Sequence, residues 1–170
     1  MVTRTSIPSA TGVPKTGGAS IIGAEHHVSD GPGPEVMDAD TLVGDSVVNA
    51  AGEDLGEIKA IMLDVTSGRI GYAVLSFGGF LGMGNKLFAI PWSALTLDAG
   101  EKRFILNIAK DRLDNAPGFD KDHWPSMTDT SWATQLHKYY DVRPYWDDDI
   151  SPLSDPRTSS GSTLREPKSY

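Results

Sequence analysis

Between Leu42 and Asn107 the chain sets short apolar runs between glycine-bearing turns, and the series closes on Ala89-Ile90-Pro91-Trp92. Runs this short suit strands rather than helices, because a helix needs a longer 3.6-residue pattern to bury one face. Closely spaced turns then predict a small, strongly curved β structure. Leu42-Val43 and Val47-Val48 around Gly44-Asp45 read as a bent first strand, with the glycine at the bend. From Glu57 to Val65 the apolar residues switch parity: Ile58 and Ala60 share one face, then Ile61, Leu63 and Val65 the other. A β-bulge near Ala60 reconciles the two halves.

Asp64-Val65-Thr66-Ser67-Gly68-Arg69 reads as a hairpin connection, where Gly68 takes positive φ and Asp64 accepts from turn amides. Ile70 to Phe77 is apolar on both parities, so this strand must be covered on both faces. Lys86 to Ile90 forms a further strand ending at Pro91, and Arg103 to Ile108 the last. Ala109 to Leu113 makes a helical turn stopped by Asn115-Ala116-Pro117-Gly118. Thr128 or Asp129 caps a helix reaching about Tyr140, with Trp132, Leu136 and Tyr139/Tyr140 on one stripe. Pro144-Tyr145-Trp146 then packs back as an aromatic hook. The expected fold is mainly β: a small antiparallel barrel of about five or six strands, a C-terminal α-helix and disordered tails.

Composition sets the boundaries. Apolar residues make up 39% of the 170, and the deficit falls at the two ends. Those ends lack the apolar surface needed to offset ordering entropy. The expected organisation is therefore a disordered tail over 1–35, the barrel over 36–109, a connector plus packing helix over 110–146, and a disordered tail over 147–170. The isolated Ile21-Ile22 falls in the first tail. A barrel of about sixty residues buries only about 60% of its unfolded surface, so the helix, and a second copy of the chain, are expected to cover it.

Net charge is −8, shared as −3, −3 and −2 among residues 1–40, 41–146 and 147–170. No basic segment neutralises phosphates, which argues against direct nucleic-acid binding. Without cysteine there is no disulfide, thiolate nucleophile or Cys-ligated metal. No run reaches the roughly 18 apolar residues of a membrane span, and no signal-peptide core is visible. Cytoplasmic residence without membrane insertion is the expectation.

The succession Val47-Val48-Asn49, Gly52-Glu53-Asp54-Leu55-Gly56-Glu57-Ile58, Leu63 through Ile70, Tyr72 through Gly79, and Leu87-Phe88-Ala89-Ile90-Pro91-Trp92 resembles the PRC-barrel family. Gly118 through Lys121, Trp124-Pro125, Tyr139-Tyr140 and Pro144-Tyr145-Trp146 resemble the extension of stand-alone bacterial members. The resemblance implies a small barrel, like those of the photosynthetic reaction-centre H subunit and of ribosome maturation factors. The membrane helix of the former and the leading folded domain of the latter have no counterpart here, which leaves the stand-alone type.

Candidate sites are few. Gly78 through Lys86 is glycine-rich but lacks a G-K-[ST] ending and precedes a strand, so it reads as a hairpin. Within it Phe80, Leu81 and Met83 are apolar on a loop, either folded back or forming a docking patch for a partner or second protomer. Lys86 reads as solvated. His26-His27 lack further ligands at metal-binding spacing, and His137 sits at the edge of the helix stripe. Asp120/Asp122 and Asp147-Asp148-Asp149 read as solvated carboxylates without an EF-hand pattern, and Ser126 to Ser131 lack a nucleophile elbow. The expectation is a non-catalytic adaptor that binds protein and forms a homodimer, with no cofactor, metal or catalytic residue. The family's other branches imply a ribosome-associated RNA-processing factor or an accessory to photosynthetic electron transfer as alternatives.

Overall fold

The computed structural model describes residues 17–23, 35–78 and 86–147. Seven strands make one sheet: β1 (Ser20–Ile22), β2 (Ser46–Val48), β3 (Asp54–Asp64), β4 (Arg69–Phe77), β5 (Lys86–Pro91), β6 (Leu95–Asp98) and β7 (Arg103–Leu106). Their order is β1-β6-β7-β2-β3-β4-β5. The pairs β1/β6 and β2/β7 are parallel and the others antiparallel.

This corrects the expected closed, purely antiparallel barrel of five or six strands: the sheet is open and mixed, with β1 and β5 at its edges. Periodicity reports which face of a strand is buried, not which distant strand lies beside it. The β6–β7 hairpin returns to the far side of β2, so β7 runs parallel to β2, Val47 opposite Phe104. β1 is a second departure. Ile21 and Ile22, assigned by sequence to a disordered tail, pair with Leu97 and Asp98. The sheet edge satisfies the backbone groups that three residues alone could not.

Curvature has the expected cause. The β3–β4 register shifts between Ile58 and Ala60, as the parity switch predicts, and again between Met62 and Leu63. Each extra residue bends the strand and increases its twist. The sheet therefore curls around one core, where Leu55, Ile58, Leu75, Phe88, Phe104 and Leu106 are all buried together. Gly56, at φ +114°, lets β3 pass against β4: a Cβ there would lie 2.0 Å from the Ser76 carbonyl oxygen.

Among the described residues three α-helices and a 3₁₀ turn at Trp92–Ala94 accompany the sheet: α1 (Ala39–Leu42), α2 (Lys110–Asp114) and α3 (Thr130–Tyr139). The sequence read Leu42-Val43 as strand; α1 takes Leu42 instead, with the Asp38 carboxylate accepting from the Asp40 amide. Asp129 caps α3, accepting from the Ser131 and Trp132 amides at 2.8 and 3.4 Å. α2 and α3 clasp each other: the Tyr139 hydroxyl donates to the Arg112 carbonyl at 2.6 Å, and the Arg112 guanidinium lies 5.0 Å over the Tyr139 ring.

β4 is covered on both faces, as its two apolar parities require. Ala73 and Leu75 enter the main core, while Tyr72 joins Ala89 and Leu136 in a second cluster under α3. The edge of β5 is also shielded. Leu87 and Phe119 exchange backbone hydrogen bonds of 2.9 and 2.8 Å, so the connector after α2 blocks pairing there.

Candidate binding groove

The β3–β4 hairpin, the start of α3 and the aromatic hook line a groove of about 630 Å³. Local sequence explains each wall. The Asp64 carboxylate accepts from the Thr66 and Ser67 amides at 3.0 and 3.3 Å and from the Ser67 hydroxyl at 2.8 Å, fixing the turn. Gly68 sits at φ +71°, closing the hairpin as its position predicts. Opposite, the Arg69 guanidinium donates to the Tyr145 carbonyl at 2.8 Å and draws the hook onto β4. Gly71 makes that contact possible, since a Cβ would stand 3.2 Å from the Tyr145 ring.

Aromatic rings form the floor and back. Tyr72 meets Trp132, His137 and Tyr145 with centroids 5.6, 5.7 and 6.1 Å apart, and His137 meets Trp146 at 5.0 Å. Most are edge-to-face pairs, each contributing about 0.5–1.5 kcal/mol beyond area burial. The mouth is apolar and exposed: Leu63 is 57% and Val65 86% accessible. Met62 and Met127 add flexible thioether side chains that adapt to different surfaces.

Electrostatics leave the groove with few charged groups. Hydrogen bonds from Ser67, and lesser ones from Thr66 and the Tyr145 hydroxyl, hold the Asp64 carboxyl below its usual range. Burial, reinforced by the nearby Tyr145 and Asp64, pushes the Tyr72 hydroxyl far above its ordinary value. Burial and the Asp64 charge also raise Tyr145. Asp64 is therefore ionised at neutral pH, and both phenols are protonated. Tyr72 is 3% exposed, and its hydroxyl has no hydrogen-bond partner among the described residues. An unsatisfied buried hydroxyl costs about 1–3 kcal/mol.

Most residues singled out in the sequence lie elsewhere. Phe80, Leu81, Met83, His26, His27, Asp148 and Asp149 fall outside the described residues. Lys86 is no free cation: it donates to the Asp114 and Ala116 carbonyls, both at 3.3 Å, and lies 4.9 Å over the Phe88 ring. His123 pairs with Asp120 at 2.8 Å on the surface, and Lys121 with Asp122 at 2.9 Å. Among the described residues no group of three or more His, Cys, Asp or Glu could hold a metal. Ser131 supports the α3 cap, its hydroxyl 2.6 Å from Asp129. Of the histidines singled out, His137 adjoins the groove, as do Asp64, Tyr145 and Trp146, which the sequence read as turn and hook. It is 1% exposed, with Nδ1 donating to the Ala133 carbonyl at 2.7 Å. Sequence reasoning missed Met62, Tyr72 and Met127 as groove residues, although the two-faced strand and the aromatic hook were signals pointing there.

A curled β sheet with a helix packed on its outer face and an apolar groove at their junction defines a small β-rich domain. Residues 34–113 match the model of the PRC-barrel domain family. The connector, α3 and the hook lie beyond the match. No curated protein compared with the chain matches it. Among the described residues no helix is long and apolar enough to cross a membrane.

Proposed function

We propose that this chain is a non-catalytic PRC-barrel protein that works as a protein-interaction module and self-associates as a homodimer, in the cytoplasm. The observation that carries the reading is the exposure of Leu63 and Val65 at the mouth of a groove walled by Met62 and Met127. Large aliphatic side chains held in water at a rigid hairpin gain about 1.5–3 kcal/mol each on full burial, which favours association at this face. Phe119 already occupies part of the β5 edge, which restricts association through that edge.

Light scattering across a concentration series tests the proposal. A dimer is expected, and Leu63→Asp/Val65→Asp should shift it to monomer and abolish capture of the same partner by affinity pull-down. A chain that stays monomeric at all concentrations and captures no protein sinks the reading.

A further inference from the structure

We infer that the outer edge of β6 is a strand-binding site which, besides the β1 of its own chain, takes the β1 of a second copy. β1 is an addition to the matched domain. It lies before residue 34, where the family match begins, and among the described residues its one neighbour in the sheet is β6. Without β1 the sheet would end on the open edge of β6. That edge carries none of the usual devices against pairing. Leu95-Thr96-Leu97-Asp98 contains no lysine or proline, and its register with β7 runs without a bulge. At the opposite end of the sheet, Phe119 shields β5. One edge is closed and the other receives a strand.

The seat is specific. Ser20, Ile21 and Ile22 stand opposite Thr96, Leu97 and Asp98 in parallel register, and the Ala99 amide donates to the Ile22 carbonyl at 3.0 Å. Ala19 packs against the main core. Gly23 then turns away at φ +73°, where a Cβ would stand 2.9 Å from the Gly100 amide nitrogen and 3.1 Å from the Asp98 carboxylate. Asp98 is fixed in place by Arg103 at 3.5 Å and by the Glu101 amide at 3.2 Å. The edge therefore selects an extended segment in which glycine follows an aliphatic residue.

The occupant follows from that selectivity. Ala19 through Gly23 meets each requirement of the edge, and every copy of the chain presents the same segment. Exchange of an identical element replaces contacts within one chain by equal contacts between two, a low-cost route to association. From Gly23 to Glu35 the chain covers at most about 40 Å when extended, which sets the reach of a donated strand. The exchanged element is a single three-residue strand per copy. The contact is therefore small, independent of the hairpin face, and read by covalent trapping rather than by light scattering.

The absence of cysteine makes the test direct. Ser20 and Thr96 are register partners, and neighbouring strands lie about 4.8 Å apart, inside the Cα range that a disulfide spans. Full-length Ser20→Cys and Thr96→Cys chains are mixed under mild oxidation, and mass spectrometry of linked fragments reads the bonds between them. The control mixes Ser20→Cys with Thr66→Cys, an exposed position in the β3–β4 turn. Linkage to Thr96→Cys should exceed the control at least about fivefold, because seating on β6 raises the effective concentration.

Gly23→Val gives a second reading, with opposite signs on the two partners. On the Thr96→Cys chain it unseats the resident strand, and linkage should rise several-fold. On the Ser20→Cys chain it spoils the donated strand, and linkage should fall to the control level. Linkage at the control level without Gly23→Val, or the same response to Gly23→Val on either chain, overturns the inference. Adding Leu63→Asp and Val65→Asp to both chains should leave the linkage in place. Its loss there would make the exchange a by-product of the hairpin contact and remove β6 as a site in its own right.

Discussion

His137 shows how one residue joins sequence, packing and pH. Its position on the α3 stripe turns the ring inward, where it meets Tyr72, Tyr145 and Trp146. Burial lowers its pKa below the ordinary 6.5, opposed in part by the Ala133 carbonyl and Asp147. The unfolded chain therefore binds this proton at a higher pH than the folded one. Stability is fully present above about pH 6.5 and falls as acid carries the ring through its lowered folded value, by at most about 1.4 kcal/mol per pH unit. Asp64, Asp120 and Asp129, held below 3.8, act only at lower pH. Urea unfolding between pH 5 and 7 should show the slope in the wild type and lose it in His137→Gln. A second residue-level prediction concerns Gly56. Its positive φ and the 2.0 Å approach to the Ser76 oxygen leave Gly56→Ala no relaxed arrangement. A loss of about 3 kcal/mol or more is expected, read as a lower urea midpoint.

At the scale of elements, what could be read from sequence divides along the range of the interaction responsible. The α3 cap, the Asp64 turn and the β3 bulge depend on neighbours a few residues away, and each appears where its residues predicted. β1 and the parallel β2/β7 pairing depend on partners far along the chain, and no local pattern encodes them. The groove was half visible: Asp64 and the hook were read as a turn and a packing element, but their meeting is set by the Arg69–Tyr145 contact across the fold. The local logic can be tested at Asp129. Its carboxylate accepts from the Ser131 and Trp132 amides at the exposed start of α3. Asp129→Ala should cost about 1 kcal/mol, whereas Asp129→Asn keeps an acceptor and most of the stability. Equal losses in the two variants, measured by thermal unfolding, would assign the effect to charge rather than to capping.

For the whole molecule, the family match and the folding unit do not coincide. The match ends at residue 113, yet Tyr72 and Ala89, on strands inside it, are buried by Leu136 from outside it. A sheet with apolar residues on both faces has no stable single-layer form in water, because one face would remain wet. The connector answers this twice, shielding β5 through Phe119 and delivering α3 to the outer face. The helix is thus part of the domain's stability and not an appendage. Leu136→Ala should cost about 2–5 kcal/mol, as for other large-to-small changes at buried sites. A chain shortened to end at Ala116 loses the whole outer layer. It should bind a hydrophobic dye and associate through the bared β4–β5 face, even with Leu63→Asp and Val65→Asp in place. If that chain instead unfolds with full-length stability and stays monomeric, the outer layer contributes nothing to the fold, and α3 serves only to build the groove.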